Sequence, residues 1–504
     1  MNAPTKTGAP PALDRRLLSI ASVVVLGSFM SILDTTIVNV AIRELSHSFG
    51  TSLSVTQWIS TGYMLALATV IPLTGWAADR FGTKRLYIGS IALFVIGSAL
   101  CGLAWSATSL IVFRVLQGFG GGMIMPAGMT ILSHAAGRER MGRVMGLVGI
   151  PMLVAPIVGP ILGGWFVDDL SWRWIFFVNL PIGVIALYAA SRFLDRDEPK
   201  PHHALDWRGL LMLSPGLAIF VYGLAETAAG GGFTRPDAVG GVLLGLALVI
   251  GFVWHARRKE GALIDVRLFG TRVVGAAAST SFFFGTAFFG TALLLPLYFQ
   301  LVRGESALQA GLLMAAQGIG AMISMPIAAR LTDKTGPGRI VLVGLSLTAL
   351  GLIGLTQIQS DTPMWMVEGM LFLLGLGMGS TMMPSMTAAL SSLQRHEIAR
   401  VTSGMNVVQR VGGSVGTALL AVVLSHQIAS VMPATGVPES GLAVARAMTP
   451  AMHTAVLPAL GRAFGHTFVW ALGVVVMGLV AAAFLPRKRA VHNAEQAVAA
   501  ALVD

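Results

Sequence analysis

Fourteen apolar segments divide this chain, and they constrain its fold more than any other feature. Each holds roughly 20 predominantly apolar residues, the length that a helix needs to cross a bilayer. Backbone in lipid must satisfy its own hydrogen bonds, and barrels need short alternating strands instead, so the pattern predicts an all-α membrane protein. The segments are approximately 17–42, 55–77, 86–104, 108–131, 142–166, 174–193, 207–226, 238–255, 272–301, 307–329, 339–358, 363–391, 399–427 and 466–486.

The low content of charged residues indicates that lipid is the main solvent of this chain. Only 11% of its residues are charged and its mean hydropathy is +0.76, whereas soluble domains carry about 25% charged residues. A soluble protein of 504 residues could not cover its surface with so few polar groups. This composition excludes soluble enzymes, nucleic-acid-binding proteins and disordered scaffolds.

The basic residues predict the orientation of the chain in the membrane. With the N-terminus in the cytoplasm, 26 of the 34 Lys and Arg fall on that side, six fall on the outer side, and Arg114 and Arg410 remain inside spans. Excess positive charge marks cytoplasmic loops, so we expect both termini in the cytoplasm. The net charge of +11 follows from this topology and requires no nucleic acid. The first span is too long for a cleaved signal sequence.

An internal repeat divides the spans into two halves. A set of residues at the end of span two and in the loop after it recurs 254 residues later: Pro72, Asp79, Arg80, Gly82 and Arg85 match Pro326, Asp333, Lys334, Gly336 and Arg339. Spans one to six therefore correspond to spans nine to fourteen, and spans seven and eight are an insertion. The predicted parts are an N-terminal cytoplasmic tail (1–16), a six-helix bundle (17–193), linkers with two inserted helices (194–271), a second six-helix bundle (272–487) and a cytoplasmic tail (488–504).

Five short sequence motifs stand out in this chain. They lie in the first span (33–41, LDTTIVNVA), around the loop after span two (75–85), in the fourth span (114–118, RVLQG), in the fifth span (Gly159, Pro160, Gly163 and Gly164), and at 172–181 (WRWIFFVNLP). Together they resemble the motifs of one transporter family, the fourteen-helix drug:proton antiporters of the major facilitator superfamily (QacA/EmrB type), and the motif of the fifth span resembles the antiporter motif of that family. Ala155 departs from the antiporter motif, which usually has glycine there.

The resemblance implies the major facilitator fold, with two pseudo-symmetric six-helix bundles, two inserted helices and a central site reached alternately from each side. It further implies a transporter rather than an enzyme. We expect a multi-pass protein of the cytoplasmic membrane that takes small lipophilic substrates and protons as partners. We expect no cofactor, because the chain has no phosphate-binding loop for ATP and no metal or nucleophile motif, so a proton gradient would supply the energy.

Ionisable and polar residues inside spans are the candidates for substrate and proton handling, because a charge in lipid costs about 2.5–3.5 kcal/mol on insertion scales. Asp34 and Arg114 lie at similar depths, and a carboxylate beside an arginine could exchange a proton when their surroundings change. A permanent structural pair is the alternative. The candidates are Asp34, Arg114, Gln117, Glu368, Asn406 and Arg410, with Glu368 equally explained as an interfacial residue.

Two pseudo-symmetric latches are predicted at the cytoplasmic face. The N-terminal end of a helix favours a nearby carboxylate, and the repeat places one arginine at the start of span five and another at the start of span thirteen. We expect Asp79 to meet Arg400, and Asp333 to meet Arg143, with Arg80 and Arg85 in the same loop motif. Loop anchoring alone is the alternative explanation, since surface ion pairs are weak.

Flexible methionines in spans four and twelve suit a cavity for varied lipophilic shapes, although plain packing explains them as well. The set comprises Met123, Met125, Met129, Met378, Met382, Met383 and Met386, and further lining candidates are Asn39, Gln300, Gln317 and Phe289.

The predicted function is proton-coupled export of lipophilic, cationic drugs or toxic compounds. A dedicated exporter of one endogenous metabolite or lipid is the alternative, with a membrane receptor or embedded enzyme as the third hypothesis.

Overall fold

The computed structural model describes residues 14–51, 53–195, 204–229, 236–259, 261–305, 307–391, 393, 397–431 and 450–486, and these ranges contain helices but no strand. Sixteen α-helices lie in them: α1 (Arg15–Ser48), α2 (Leu53–Val70), α3 (Leu73–Phe81), α4 (Thr83–Gly102), α5 (Ala107–Trp165), α6 (Trp174–Phe177), α7 (Asn179–Phe193), α8 (Trp207–Ala229), α9 (Pro236–Arg258), α10 (Arg272–Leu301), α11 (Ala307–Leu313), α12 (Ala315–Thr335), α13 (Pro337–Leu355), α14 (Met364–Ser391), α15 (Ile398–Val431) and α16 (Pro450–Ala482).

The helix boundaries follow from local chemistry. The side chain of Asp14 accepts a hydrogen bond from the Leu17 amide at 2.7 Å and caps α1, and Ser106 with Ser109 forms a capping box at the start of α5. Gly82 and Gly336, which are equivalent in the sequence repeat, have nearly equal backbone angles (φ 86° and 90°). Positive φ favours glycine, so these two equivalent positions share one backbone conformation.

Twelve helices of the described chain are long and apolar enough to cross a membrane, and thirteen if α2 and α3, bent by 57°, form one span. The predicted spans 108–131 and 142–166 both fall within α5, which has 59 residues. We expected a loop between them, but residues 132–141 are helical, since half of them are Ala, Arg or Glu, all good helix formers, and none is proline. The total of fourteen spans and the location of both termini stay predictions.

Helices α1–α7, here the N-terminal bundle, pack mainly around α5, and helices α10–α16, the C-terminal bundle, pack mainly around α10 and α14. Glycines permit the closest crossings: a Cβ on Gly120 of α5 would lie 2.7 Å from the Ser90 carbonyl oxygen of α4. The two bundles meet where α12 crosses α5 and where α3 meets α15. At the first crossing, Met325 of α12 packs onto Gly149 of α5.

The inserted helices α8 and α9 pack against each other, and α8 also lies against α2 and α15, so the insertion touches both bundles. Ser214 of α8 donates a hydrogen bond to the Thr69 carbonyl of α2 at 2.5 Å. Tyr222 of α8 stacks on Trp58 of α2, with ring centroids 5.6 Å apart. The linker that follows α9 is buried at Ala262, Leu263 and Ile264, within an apolar cluster that reaches Val407 and Val411 of α15.

A buried carboxylate joins the start of α8 to the end of α9. The Asp206 side chain is inaccessible to solvent and accepts hydrogen bonds from Lys259 Nζ (2.8 Å) and the Gly209 amide (3.1 Å), with His255 Nε2 3.0 Å away. Burial acts to raise the pKa of Asp206, but the hydrogen bonds from Lys259 and His255 outweigh it and hold this pKa below its usual value. Asp206 therefore clamps the start of α8 to the end of α9 within the insertion.

Asp206→Asn is expected to destabilise the α8–α9 pair by about 1–3 kcal/mol at pH 7, since the amide leaves the Lys259 charge unpaired. The pKa of Asp206 is lowered by folding, so its contribution is present above the unfolded pKa of about 4 and is lost as pH falls through the folded value. Thermal unfolding in detergent, followed by tryptophan fluorescence, should give a lower unfolding temperature for the variant than for wild type at pH 7. At acid pH the two unfolding temperatures should be equal. Asp361→Asn, which changes an exposed carboxylate, is the control, and equal melting at pH 7 would contradict the clamp.

Candidate functional site

A buried network of polar side chains lies inside the N-terminal bundle, centred on Asp34 of α1. Its Oδ2 accepts a hydrogen bond from Arg114 Nη1 at 2.6 Å, and its Oδ1 accepts bonds from Gln117 Nε2 at 2.9 Å and Asn179 Nδ2 at 3.0 Å. These four side chains belong to α1, α5 and α7, and none is more than 1% exposed. The predicted juxtaposition of Asp34, Arg114 and Gln117 is therefore present in the structure.

The guanidinium of Arg114 is held on several sides. Its Nη1 also donates to Gln117 Oε1 at 2.8 Å, and its Nε donates to the Ile59 carbonyl of α2 at 3.4 Å. The Tyr63 ring lies 3.9 Å below it and the Phe176 ring 5.7 Å away. Aromatic faces attract cations, the more so when water is absent, so the charge of Arg114 is fixed by a carboxylate, a carbonyl and a ring face.

Asn179 connects the ion pair to the packing of α4. It donates a second bond to Ser98 Oγ at 3.0 Å, and Ser98 donates to the Phe176 carbonyl at 2.9 Å. The Oδ1 atom of Asn179 is buried and accepts no hydrogen bond within the described structure. A spare acceptor beside Asp34 matters chemically, because a protonated carboxyl becomes a hydrogen-bond donor and requires one.

The close approach of α4 to α5 depends on Gly97. A Cβ at this position would lie 2.6 Å from the Cα atom of Gln117, so any larger residue would displace the helix that carries Arg114 and Gln117. The sequence thus places small residues on α4 opposite the polar residues of α5. Sequence reasoning missed Asn179, Ser98 and Tyr63 as site residues; the signal for Asn179 was a polar residue in the quoted motif at 172–181.

A second feature is a cavity of about 30 Å³ between the bundles. It is lined by residues of α5, α10, α14 and α15, most of them flexible thioethers, and none of them a carboxylate. This volume is that of about one water molecule, so the cavity must widen before a larger molecule can enter. The lining side chains are Met125, Met129, Ser281, Phe284, Met382, Met383, Ser385, Met386, Met405, Asn406 and Gln409.

Five of the seven methionines singled out in the sequence therefore line this cavity, and Asn406 does as well. Arg410 follows Asn406 by one helical turn on α15, and its side chain is exposed. Within the described residues Arg410 has no hydrogen bond or ion pair with Asp34, Arg114, Gln117 or Asn179, so it does not join the Asp34 network.

Other candidates lie away from both features. Glu368 is half-buried near the start of α14, and Gln300 and Phe289 are exposed. Gln317 is buried and lines a separate cavity of about 10 Å³ within the C-terminal bundle. The side chain of Asn39 lies outside the described residues.

The loop motif brings Asp79 of α3 to Arg400 of α15, with Oδ2 and Nη2 3.5 Å apart and both side chains partly exposed. Arg80 and Arg85 are exposed nearby. The second predicted latch involves Asp333 and Arg143, whose side chains lie outside the described residues. One inter-bundle contact of the predicted type is thus present.

The antiporter motif lies on α5 beside α1. Gly159 is buried against Thr36, two residues after Asp34, and a Cβ there would be 3.0 Å from the Thr36 Cβ and 3.3 Å from the Ile37 amide nitrogen. Gly163 is buried, Gly164 is half-buried with no atom within 4 Å of a built Cβ, and the Pro160 side chain is outside the described residues. The glycines of the motif therefore have different surroundings.

Comparison with known sequences gives a family and several named relatives. The profile of the Major Facilitator Superfamily matches residues 24–417. A protein of Mycobacterium tuberculosis named multidrug resistance protein B homolog is 45% identical over 502 residues, covering 96% of this chain and 93% of the relative. Multidrug export protein EmrB of Haemophilus influenzae is 31% identical and covers 81% of each chain.

Solved structures share the fold at low identity. The human organic anion transporter MFSD10 superposes with a TM-score of 0.60 at 15% identity, over 91% of this chain and 99% of its own. Among the described residues, no group of three or more His, Cys, Asp or Glu is placed to hold a metal ion.

The two motif glycines provide a matched pair of substitutions. Gly159→Ala is expected to destabilise the protein by about 1–3 kcal/mol, because the new methyl group would push α5 away from α1 at Thr36. Gly164→Ala is expected to change stability by no more than about 1 kcal/mol in either direction, because its Cβ enters open space. Thermal unfolding of both variants in detergent distinguishes these results, and equal destabilisation by the two substitutions would show that the α1–α5 contact is not the cause.

Proposed function

This chain belongs to the major facilitator superfamily, and we propose that it is a proton-coupled exporter of lipophilic compounds across the cytoplasmic membrane. The family and fold make it a multi-pass membrane transporter rather than an enzyme. Relatives named for multidrug resistance and export support efflux of drugs as its activity. The observation that carries proton coupling is the fully buried Asp34–Arg114 pair, which has a titratable carboxylate in the membrane-spanning part of the chain.

The proton step takes place on Asp34. Protonation neutralises the carboxylate, so the 2.6 Å bond to Arg114 loses its ionic character and the guanidinium becomes an unpaired buried charge. Breaking a buried pair in this way costs about 3–5 kcal/mol, which favours a rearrangement that hydrates or re-pairs Arg114. Rotation of the Asn179 amide would offer its unused Oδ1 to the protonated carboxyl. Proton binding thereby changes the packing of α1 against α5 and α7.

Alternating access follows from two rocking bundles, residues 17–193 and 272–487, within fourteen spans and with both termini in the cytoplasm. The Asp79–Arg400 contact would close the cytoplasmic face. Its counterpart in the repeat, the predicted contact of Asp333 with Arg143, is proposed to do the same. Gly159 couples this motion to the proton site, because it packs on α1 two residues from Asp34. Movement of α5 and protonation of Asp34 therefore affect the same helix contact.

The cavity between the bundles receives the substrate once it has widened, since drug-sized pockets measure roughly 300–1,000 Å³. Its methionines adapt to varied apolar shapes. Cationic compounds would bind Asp34 only after Arg114 has left it, because Arg114, Gln117 and Asn179 occupy both carboxylate oxygens. Export of one endogenous metabolite or lipid stays the second candidate, because an apolar compound of that kind would bind to the same methionine lining.

Asp34→Asn is expected to uncouple proton movement from substrate. Purified protein is reconstituted into liposomes that contain a pH-sensitive dye, and neutral N-phenyl-1-naphthylamine or cationic tetraphenylphosphonium is added. Wild type should shift the internal pH, and the variant should do so at least about tenfold more slowly, because an amide cannot exchange the proton.

Asp169→Asn, which changes an exposed carboxylate in the short π-helical segment Phe166–Leu170 after α5, is the matched control and should behave as wild type. Equal proton flux from wild type and Asp34→Asn would remove Asp34 from the coupling step. Absence of flux from wild type with either compound would remove the exporter proposal itself.

A further inference from the structure

The charge around the cavity differs from that of a site that binds cations. None of its lining residues is acidic, and the carboxylate of Asp34 is already neutralised by Arg114. Arg410 does not line the cavity itself, but it follows the lining residue Gln409 directly and lies one helical turn after Asn406. The charged side chain that the sequence places beside this lining is therefore basic.

Arg410 lies well inside the candidate membrane span Arg400–Ser430 of α15. It is ten residues from Arg400, the residue that meets Asp79, which corresponds to about 15 Å of helix, or about half of a hydrocarbon core. An arginine at this depth is costly and marks a pathway unless it is paired. Within the described chain Arg410 forms no ion pair and no hydrogen bond, and its side chain is exposed. Its guanidinium is available to a ligand.

Polar side chains of the cavity lining accompany Arg410. Asn406 and Arg410 share one face of α15, since residues four apart are neighbours on a helix. On α14, the hydroxyl of the lining residue Ser385 is buried and has no hydrogen-bond partner within the described residues. An unsatisfied buried hydroxyl is unfavourable, and it is unexplained by packing alone. Ser385 and Arg410 are thus two donors without acceptors, one in the cavity lining and the other next in sequence to the lining residue Gln409.

We propose that Arg410 and Ser385 bind the anionic group of lipophilic substrates, while the methionines around them hold the apolar body. The chemical class is an organic anion with a carboxylate or sulfonate attached to a large aromatic or aliphatic group, because guanidinium binds such groups through charge-assisted hydrogen bonds. This inference rests on the proposed export function and adds a charge preference to it. Gln409 and Asn406 supply further amide donors at the edge of the cavity.

The test compares two fluorescent compounds with the same ring system. 8-Anilino-1-naphthalenesulfonate carries one sulfonate, and N-phenyl-1-naphthylamine lacks it. Each is titrated against purified protein in lipid nanodiscs, and the signal of empty nanodiscs is subtracted. Arg410→Gln is expected to weaken binding of the sulfonate at least about tenfold and to leave binding of the neutral compound within about twofold, which also shows that the variant is folded.

Two further variants keep the test decisive. Arg410→Lys retains the charge and should recover most of the sulfonate affinity, and Ser385→Ala should weaken sulfonate binding about threefold with little effect on the neutral compound. Equal loss of both compounds in Arg410→Gln, or sulfonate binding unchanged by all three variants, overturns the anion site. If wild type binds the neutral compound but not the sulfonate, the anion site is wrong and the export proposal stands. If wild type binds neither compound, both proposals fail.

Discussion

The ion pair of Asp34 and Arg114 is the interaction on which the structure of the N-terminal bundle depends. Two charges without access to water are unfavourable unless every lone pair and donor is used, and here α1, α2, α4, α5 and α7 all contribute partners or packing around them. Gly97 and Gly159 allow the helices to approach closely enough for these bonds to form. A single protonation event therefore acts on five helices at once, and this makes a buried carboxylate suitable for coupling a proton to a change of shape.

Much of the fold could be predicted from the sequence, because lipid restricts the backbone to helices and because the repeat of residues 72–85 at 326–339 divides the chain. The predicted meeting of Asp34 with Arg114 and of Asp79 with Arg400 also agrees with the geometry. Asn179 and Ser98 could not be assigned, since a polar residue in a span indicates a buried partner without identifying it. The helical connection at 132–141 was also not predicted: its charges indicate a loop, but its residues favour helix.

The insertion and Arg410 show what the sequence pattern left open. The sequence predicts α8 and α9 only as two extra spans. In the structure α8 packs on α2 and α15, and the buried linker at Ala262–Ile264 packs in an apolar cluster with residues of both bundles. Any separation of α3 from α15 must also release this packing. From the sequence, Arg410 was one of several candidates for substrate and proton handling, with nothing to separate it from Arg114. The structure distinguishes it from Arg114, since one arginine is fully paired and the other is exposed beside a cavity without acids.

The central claim is that Asp34 changes its protonation when the transporter binds substrate. Infrared difference spectroscopy of the protein in lipid, recorded with and without substrate over a range of pH, measures the carboxyl C=O band directly. The account predicts a substrate-dependent change in this band that is absent in Asp34→Asn and is shifted in Asn179→Ala, which lacks the amide that touches Asp34. A carboxylate of Asp34 that stays ionised at every pH, with and without substrate, while protons still move across the membrane, would contradict it.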